Sequence, residues 1–228
     1  MPDSPAAITR ARVFIVDDHP LVRESLATLI DRQPDLCIGG QATDSATAFA
    51  AMLREPVEVA LVDLSLPGES GLELIKRLQA LTPPPRIVVL SMHDEALYAE
   101  RALRAGAMGY VMKQESTDRV LVAIREVLKG RAYVSNDLAA RFALRLVGNS
   151  HSVSEGDSPA TELSDRELDV FRLIGEGRAT KRIAHDLRIS VKTVQTHCAN
   201  IKDKLGLANS HELICEAVRW VESTKFKN

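Results

Sequence analysis

Residues 13–20 read Val-Phe-Ile-Val-Asp-Asp-His-Pro. Four apolar residues, three of them β-branched, run straight into two adjacent carboxylates, Asp17 and Asp18. The apolar run reads as a buried strand. Two like charges where such a strand ends repel each other, and a desolvated carboxylate is costly unless something compensates it. A solvated loop is the plain reading of the pair. A bound cation is the informative one.

Working outward, the pattern repeats. Short β-branched runs occur at Val13–Val16, Leu36–Ile38, Val57–Val62, Ile87–Leu90 and Gly109–Val111. Amphipathic stretches separate them, near Leu21–Gln33, Ser45–Arg54, Gly71–Leu81, Glu95–Ala105 and Thr117–Lys129. Strands alternating with helices predict an α/β fold, a five-stranded parallel, doubly wound sheet covered on both faces. Ligands in that architecture sit beyond the carboxyl ends of the strands.

That rim gathers the polar residues. Asp17 and Asp18 end the first strand, Asp63 the third; Ser91 follows the fourth and Lys113 the fifth. Singly each is ordinary: an Asp-Asp pair is usually solvated, a lysine after a strand is usually on the surface, and Asp63 could cap a turn. Together they describe chemistry. A hard dication such as Mg²⁺ prefers oxygen ligands and would offset the repulsion between Asp17 or Asp18 and Asp63. Asp63 could then attack a phosphoryl donor through its carboxylate, with Lys113 neutralising phosphoryl oxygens and Ser91 hydrogen-bonding one of them.

The length of 228 residues suits two domains. The formal net charge is −2. From Leu163 to Asn228 there are 12 Lys and Arg against 9 Asp and Glu, and the rest of the chain carries 17 against 22. An acidic front and a mildly basic tail fit two different tasks, although so small an excess does not by itself establish nucleic-acid binding. Cys37, Cys198 and Cys215 form no Cys-x-x-Cys pair, so neither a disulfide framework nor a zinc site is expected. They read as small, reduced core residues. The first residues, MPDSPAAITRAR, lack the apolar core of a signal peptide. No apolar run approaches the roughly 18 residues of a membrane span. The expected location is cytoplasmic, with no membrane partner.

A helix is expected over Asp137–Val147, then a flexible polar linker over residues 148–161. Beyond it the pattern is helical. Ser164-Asp165-Arg166-Glu167 fits a capping box, and Leu168, Phe171 and Ile174 follow at helical spacing until Gly175 and Gly177 stop the helix. A short helix spans Lys181–Leu187, and Arg188-Ile189 forms a tight turn. Ser190 caps a helix over Val191–Leu205 that ends at Gly206, and a fourth helix starts near Asn209 with Glu212 as box partner. Val194, Cys198, Ile201 and Leu205 form the inner stripe of the third helix. Two short helices joined by a brief turn make a helix-turn-helix, whose second helix fits the DNA major groove. The candidate DNA-contacting residues are Lys192, Thr193, Gln195, Thr196, Ala199, Asn200 and Lys202 on that helix, with Lys181 and Arg182 before it. Glutamine can pair with adenine and a threonine methyl can touch thymine, whereas lysines and arginines suit phosphates. A solvated polar helix face is the bland alternative.

Asp17-Asp18, Asp63, Ser91 and Lys113, in that order and context, resemble the receiver domains of two-component response regulators over roughly Arg10–Gly130. The tail resembles the LuxR-type helix-turn-helix of NarL/FixJ response regulators over about Leu163–Val221. It does so through Leu163-Ser164, Arg166-Glu167, Val170, Gly177, Lys181, Ile183-Ala184, Leu187, Ile189-Ser190, Thr193-Val194, His197, Ile201, Lys204-Leu205 and Asn209. The resemblance implies that Asp63 is the phosphoacceptor, that Asp18 is a main metal ligand assisted by Asp17, and that the Ser65 backbone carbonyl completes the protein ligands of Mg²⁺. It implies Ser91 and Tyr110 as a switch pair, a sensor histidine kinase as phosphodonor, double-stranded DNA as target, and a homodimer when phosphorylated. It implies no catalysis beyond the protein's own phosphoryl transfer and dephosphorylation.

There are departures. Gln114 follows Lys113 where many receivers have a cis proline, which leaves a trans or a strained cis bond. His93 stands two residues after Ser91, where the family often tunes phosphoryl hydrolysis. Gln195 stands where lysine is frequent, which bears on the DNA sequence read. The expected organisation is a receiver over residues 10–130, a linker helix and flexible linker over 131–162, and a four-helix DNA-binding domain over 163–228. A haloacid dehalogenase-type phosphatase also uses an aspartate nucleophile with Mg²⁺, but places it on its first strand in an Asp-x-Asp arrangement, unlike the order here. A tail that binds protein rather than DNA is the other alternative.

Overall fold

A computed structural model describes residues 10–92, 95–147 and 159–225. The chain divides into two compact units at residues 148/149. In the first, β1 (Ala11–Val16), β2 (Leu36–Ala42), β3 (Val59–Asp63), β4 (Arg86–Ser91) and β5 (Gly109–Met112) form one parallel sheet in the order β2-β1-β3-β4-β5. The intervening helices are α1 (Pro20–Asp31), α2 (Ser45–Arg54), α3 (Gly71–Gln79), α4 (Glu95–Ala105) and α5 (Thr117–Leu128), followed by α6 (Asn136–Val147).

Alternation along the strands explains the layers. Val13, Ile15, Val59, Leu61, Val88, Leu90 and Val111 pack with Leu26 and Ile30 of α1 and with Val120, Ile124 and Val127 of α5. Phe14, Val16, Ala60, Val62, Ile87 and Val89 of the same strands are buried too, and α2, α3 and α4 carry their own buried residues, Met52, Leu74, Ile75 and Tyr98 among them. The expected five-stranded, doubly wound sheet is therefore present.

Element ends differ from the sequence reading in informative ways. β2 runs on to Ala42 through Gly39 and Gly40, because pairing with β1 continues past a register shift between Val13 and Phe14. Side-chain pattern carries no signal across two glycines. β3 starts at Val59 rather than Val57, since its ladder begins at the Val13–Val59 pair. Asp63 and Ser91 are the last residues of their strands, each backbone still in the ladder.

In the second unit, α7 (Pro159–Glu162), α8 (Asp165–Gly175), α9 (Thr180–Asp186), α10 (Val191–Leu205) and α11 (Ser210–Lys225) follow one another. The short α7 corrects the expectation of linker up to residue 161; the remainder of that stretch, 148–158, lies outside the described residues. The capping box is present: Ser164 Oγ accepts from the Glu167 N–H at 3.4 Å, and Glu167 Oε2 accepts from the Ser164 N–H at 2.8 Å. Ser190 caps α10, accepting from Thr193 N–H at 3.0 Å, and Gly206 ends that helix in the left-handed region. At the start of α11 the Asn209 Oδ1 accepts from the Glu212 N–H at 3.0 Å, and Glu212 Oε2 accepts from the Ala208 N–H at 2.8 Å.

One glycine has a second role besides the one expected. Gly175 is the last residue of α8, and a Cβ there would fall 2.3 Å from the Ala217 carbonyl oxygen. The helix ends there as expected, with Gly177 in the left-handed region just beyond, and the missing side chain also lets α11 approach α8. Phe171 and Trp220 meet beside this crossing with ring centroids 5.7 Å apart. The three cysteines are free and half-buried, not core residues. No helix among the described residues is long and apolar enough to cross a membrane.

Candidate functional site: an acidic rim and a recognition helix

The rim residues converge. Asp17 and Asp63 are 1% exposed and Asp18 is 9% exposed. Lys113 Nζ donates to Asp63 Oδ2 at 2.7 Å and lies 2.7 Å from Asp17 Oδ2. Its long stem reaches inward from the end of β5, so that only 8% of the side chain is exposed. Asp17 Oδ1 accepts from the His19 N–H at 2.8 Å, and the carbonyl of Asp17 accepts from Arg23 of α1 at 2.6 Å. The Ser65 N–H donates to Asp63 Oδ1 at 3.1 Å, placing the first turn after β3 beside that carboxylate. Glu69 secures the far end of that loop through the Ser45 hydroxyl and through Arg77 at 2.7 Å.

The charges do not balance. Three buried carboxylates face one buried ammonium. Burial pushes the Asp63 carboxyl above the usual carboxylate range; Lys113 pulls it down, and the neighbouring Asp17 charge pushes it up further. Burial alone would lower the Lys113 ammonium, but Asp63 and Asp17 outweigh it and hold it above its ordinary value. Asp17 Oδ2 is buried with only its ion pair to Lys113 and no hydrogen bond of good geometry. Oxygen donors, surplus negative charge and an under-satisfied buried carboxylate oxygen together fit a hard dication.

Ser91 and Tyr110 are both buried. Val89 pairs with Tyr110 and Ser91 with Met112, so Ser91 and Tyr110 lie on one face of the sheet. By the same alternation Asp63 and Lys113 belong to the opposite face. A group on Asp63 would thus meet Lys113 from one side of the rim and Ser91 from the other. The Lys113–Gln114 bond is trans. His93 lies outside the described residues.

In the second unit, Lys192, Gln195, Thr196, Ala199 and Asn200 are exposed on α10, and Lys181 and Arg182 are exposed on α9. Two expected contacts are less free. Thr193 is half-buried with its hydroxyl 2.7 Å from Ser190 Oγ, and Lys202 is half-buried. Arg182 is paired with Asp186 at 2.9 Å. The inner stripe is fully buried at Val194 and Ile201 and half-buried at Cys198 and Leu205.

Comparison with known proteins agrees with this geometry. Residues 13–125 match the response regulator receiver domain, and residues 161–217 match the luxR family of bacterial regulatory proteins. The oxygen regulatory protein NreC of Staphylococcus aureus is 36% identical over 210 residues, covering 91% of this chain and 97% of that protein. The chain belongs to the LuxR-type response regulators. Among solved structures, a LuxR-family two-component response regulator from Aurantimonas sp. is 34% identical with a TM-score of 0.56, over 61% of the regulator and all of that chain. Salmonella typhimurium RcsB is 25% identical with a TM-score of 0.61, over 92% of the regulator and 98% of that chain. RcsB bound to promoter P1flhDC in the presence of the phosphomimetic BeF₃⁻ is 26% identical with a TM-score of 0.55, over 92% of the regulator and all of that chain.

The sequence reading of the regulator missed three residues with structural work at these sites. His19 packs its ring against both rim carboxylates; its place directly after Asp17-Asp18 was the available signal. Arg166 donates to the Leu187 carbonyl at 2.8 Å, tying α8 to the turn before the recognition helix. Lys204 reaches from α10 to Glu167 at 2.6 Å, adding a third partner to the capping box. Neither of the last two pairings has a local sequence signature.

Proposed function

We propose that phosphorylation of Asp63 gates DNA binding by the helical unit of this response regulator. The observation that carries this reading is Lys113 Nζ, held 2.7 Å from both Asp63 and Asp17 in a pocket with surplus negative charge. Asp18, Asp17, Asp63 and the Ser65 carbonyl would hold Mg²⁺, which would offset carboxylate repulsion and neutralise phosphoryl oxygens. An Asp63 carboxylate oxygen attacks the phosphorus of a kinase phosphohistidine; the P–N bond breaks and the imidazole nitrogen leaves with the electron pair. Lys113 then turns to one phosphoryl oxygen and Ser91 donates to another, and Tyr110 occupies the space that the Ser91 side chain leaves. The added charge, about −1.5 to −2, biases this two-state element.

The assignment divides the regulator into a receiver over residues 10–130, a connecting segment over 131–162 and a DNA-binding domain over 163–228. Lys181, Arg182, Lys192 and Lys202 meet phosphates; Gln195, Thr196, Ala199 and Asn200 face bases; Thr193 supports the start of the recognition helix. The phosphorylated form is a homodimer whose recognition helices reach half-sites roughly 34 Å apart. It works in the cytoplasm, where kinase and DNA are both accessible. RcsB, which was solved on promoter DNA with a phosphomimetic, supports this coupling by analogy.

Mass spectrometry after incubation with acetyl phosphate and Mg²⁺ tests the proposal. A phosphoryl adduct at residue 63, absent in Asp63→Asn and accompanied by tighter binding to genomic fragments, is the expected result. A chain that never acquires the adduct would overturn it.

A further inference from the structure

The motif that ends β1 holds a donor that phosphoryl transfer leaves unused. His19 is the N-cap of α1, yet its side chain makes no capping hydrogen bond. The ring instead lies over the carboxylates, with Nδ1 2.7 Å from Asp18 Oδ1 and 3.2 Å from Asp17 Oδ1. The His19 N–H also donates to Asp17 Oδ1 at 2.8 Å, so the turn that orients Asp17 places the ring as well. One ligand atom from each of Asp17, Asp18, His19 and Asp63 lies within 4.8 Å of the other three.

These separations match a coordination sphere. In an octahedron with bonds of about 2.1 Å, neighbouring ligand atoms are about 3.0 Å apart and opposite ones about 4.2 Å apart. The two imidazole–carboxylate contacts bracket the shorter value, and the full set spans little more than the longer one. The His19 side chain is 57% exposed, so the ring can turn onto an ion without disturbing the core.

We propose that His19 is a further ligand of the receiver's cation, and that this nitrogen shifts the pocket's preference from Mg²⁺ towards a first-row transition dication, with Mn²⁺ as its probe. The inference rests on the metal-assisted reading above. Mg²⁺ selects oxygen donors, whereas imidazole favours the transition ions, increasingly so along the first row. Loss of His19 therefore weakens Mn²⁺ more than Mg²⁺. A ring that only hydrogen-bonds to the carboxylates would affect both ions alike.

The test is Mn²⁺ binding to the full chain, followed by pulsed electron paramagnetic resonance for coupling to a ligating ¹⁴N nucleus, with Mg²⁺ affinity measured by calorimetry. Wild type is expected to show the nitrogen coupling. His19→Ala and the similarly sized His19→Asn are expected to lose it, with Mn²⁺ dissociation constants roughly tenfold higher and Mg²⁺ constants changed by no more than about twofold. Absence of nitrogen coupling in the wild type, its persistence in both variants, or equal weakening of the two ions overturns the role of His19. Asp18→Asn separates the two layers. If it leaves both affinities unchanged, the ion is not in this pocket, and the metal-assisted reading falls together with the inference. If it abolishes binding while wild-type Mn²⁺ shows no nitrogen coupling, only His19 is removed.

Discussion

Gly71 touches Asp63 through the backbone: a Cβ built at residue 71 would lie 2.1 Å from the Asp63 carbonyl oxygen. The Gly71 N–H donates to the Leu64 carbonyl at 3.0 Å, so the start of α3 is laced to the end of β3. We expect Gly71→Ala to push α3 away from the strand and turn the Asp63 carboxylate out of register with Lys113. The cost should be about 1–3 kcal/mol in denaturant unfolding. Labelling of Asp63 by acetyl phosphate should slow at temperatures where the variant is still fully folded. Wild-type labelling in such a folded variant would show that the contact does not position Asp63.

Removing the cation should be visible in stability. The rim holds more negative charge than Lys113 compensates, so Mg²⁺ held there by the native state should stabilise it. At a concentration ten times the dissociation constant the gain is about 1.4 kcal/mol, a rise of a few degrees in melting temperature over the chelated protein. Asp63→Asn should be more stable than wild type in chelator and should respond less to Mg²⁺. Thermal melts of both proteins with chelator and with Mg²⁺ check this.

The capping box in the helical unit carries a pH dependence. Glu167 is 3% exposed, and its carboxyl lies at about 2: burial works against ionisation, but Lys204 and the Ser164 backbone and hydroxyl outweigh it. A carboxyl depressed in the folded state stabilises fully above its unfolded value of about 4.5 and loses that contribution as the pH falls towards 2. The loss should reach about 3 kcal/mol. Trp220, the one tryptophan, sits on Phe171 in this unit and reports its unfolding. Denaturation followed by tryptophan fluorescence should show a shallower decline between pH 5 and about pH 2 in Glu167→Gln than in wild type. Parallel curves would refute the assignment.

The two kinds of residue on α10 should separate in DNA binding. Lys192→Ala should weaken binding to all sequences and reduce the salt dependence by about one counterion. Gln195→Ala should instead relax the preference at one base position, at about 1–3 kcal/mol for the favoured site. Binding to a randomised site library at two salt concentrations distinguishes them.

Much of this regulator was legible in one dimension. Parallel strands buried on both faces must be continuous apolar runs, and covering helices must be amphipathic, so five alternating units could be read off the chain. The rim followed because residues at strand ends in such a sheet share one edge. Serine caps at 164 and 190 depend only on neighbours within one helical turn, and both were evident from spacing.

Other features depend on groups far apart in the chain, and only the packed structure decides them. Lys113 meets Asp63 across 50 positions and Lys204 meets Glu167 across 37; no periodicity encodes such a pairing, because it is set by how strands and helices stack. Gly175 ends its helix as its residue type suggests, but its second task, admitting α11 at the crossing, is set by packing alone. The two-glycine stretch of β2 carried no side-chain signal, yet the partner strand's hydrogen bonds keep it extended. Local chemistry settled which elements form and which residues reach the rim. Long-range burial and charge compensation settled the distances between them, and with those the ion pairs that hold Asp63 at the rim.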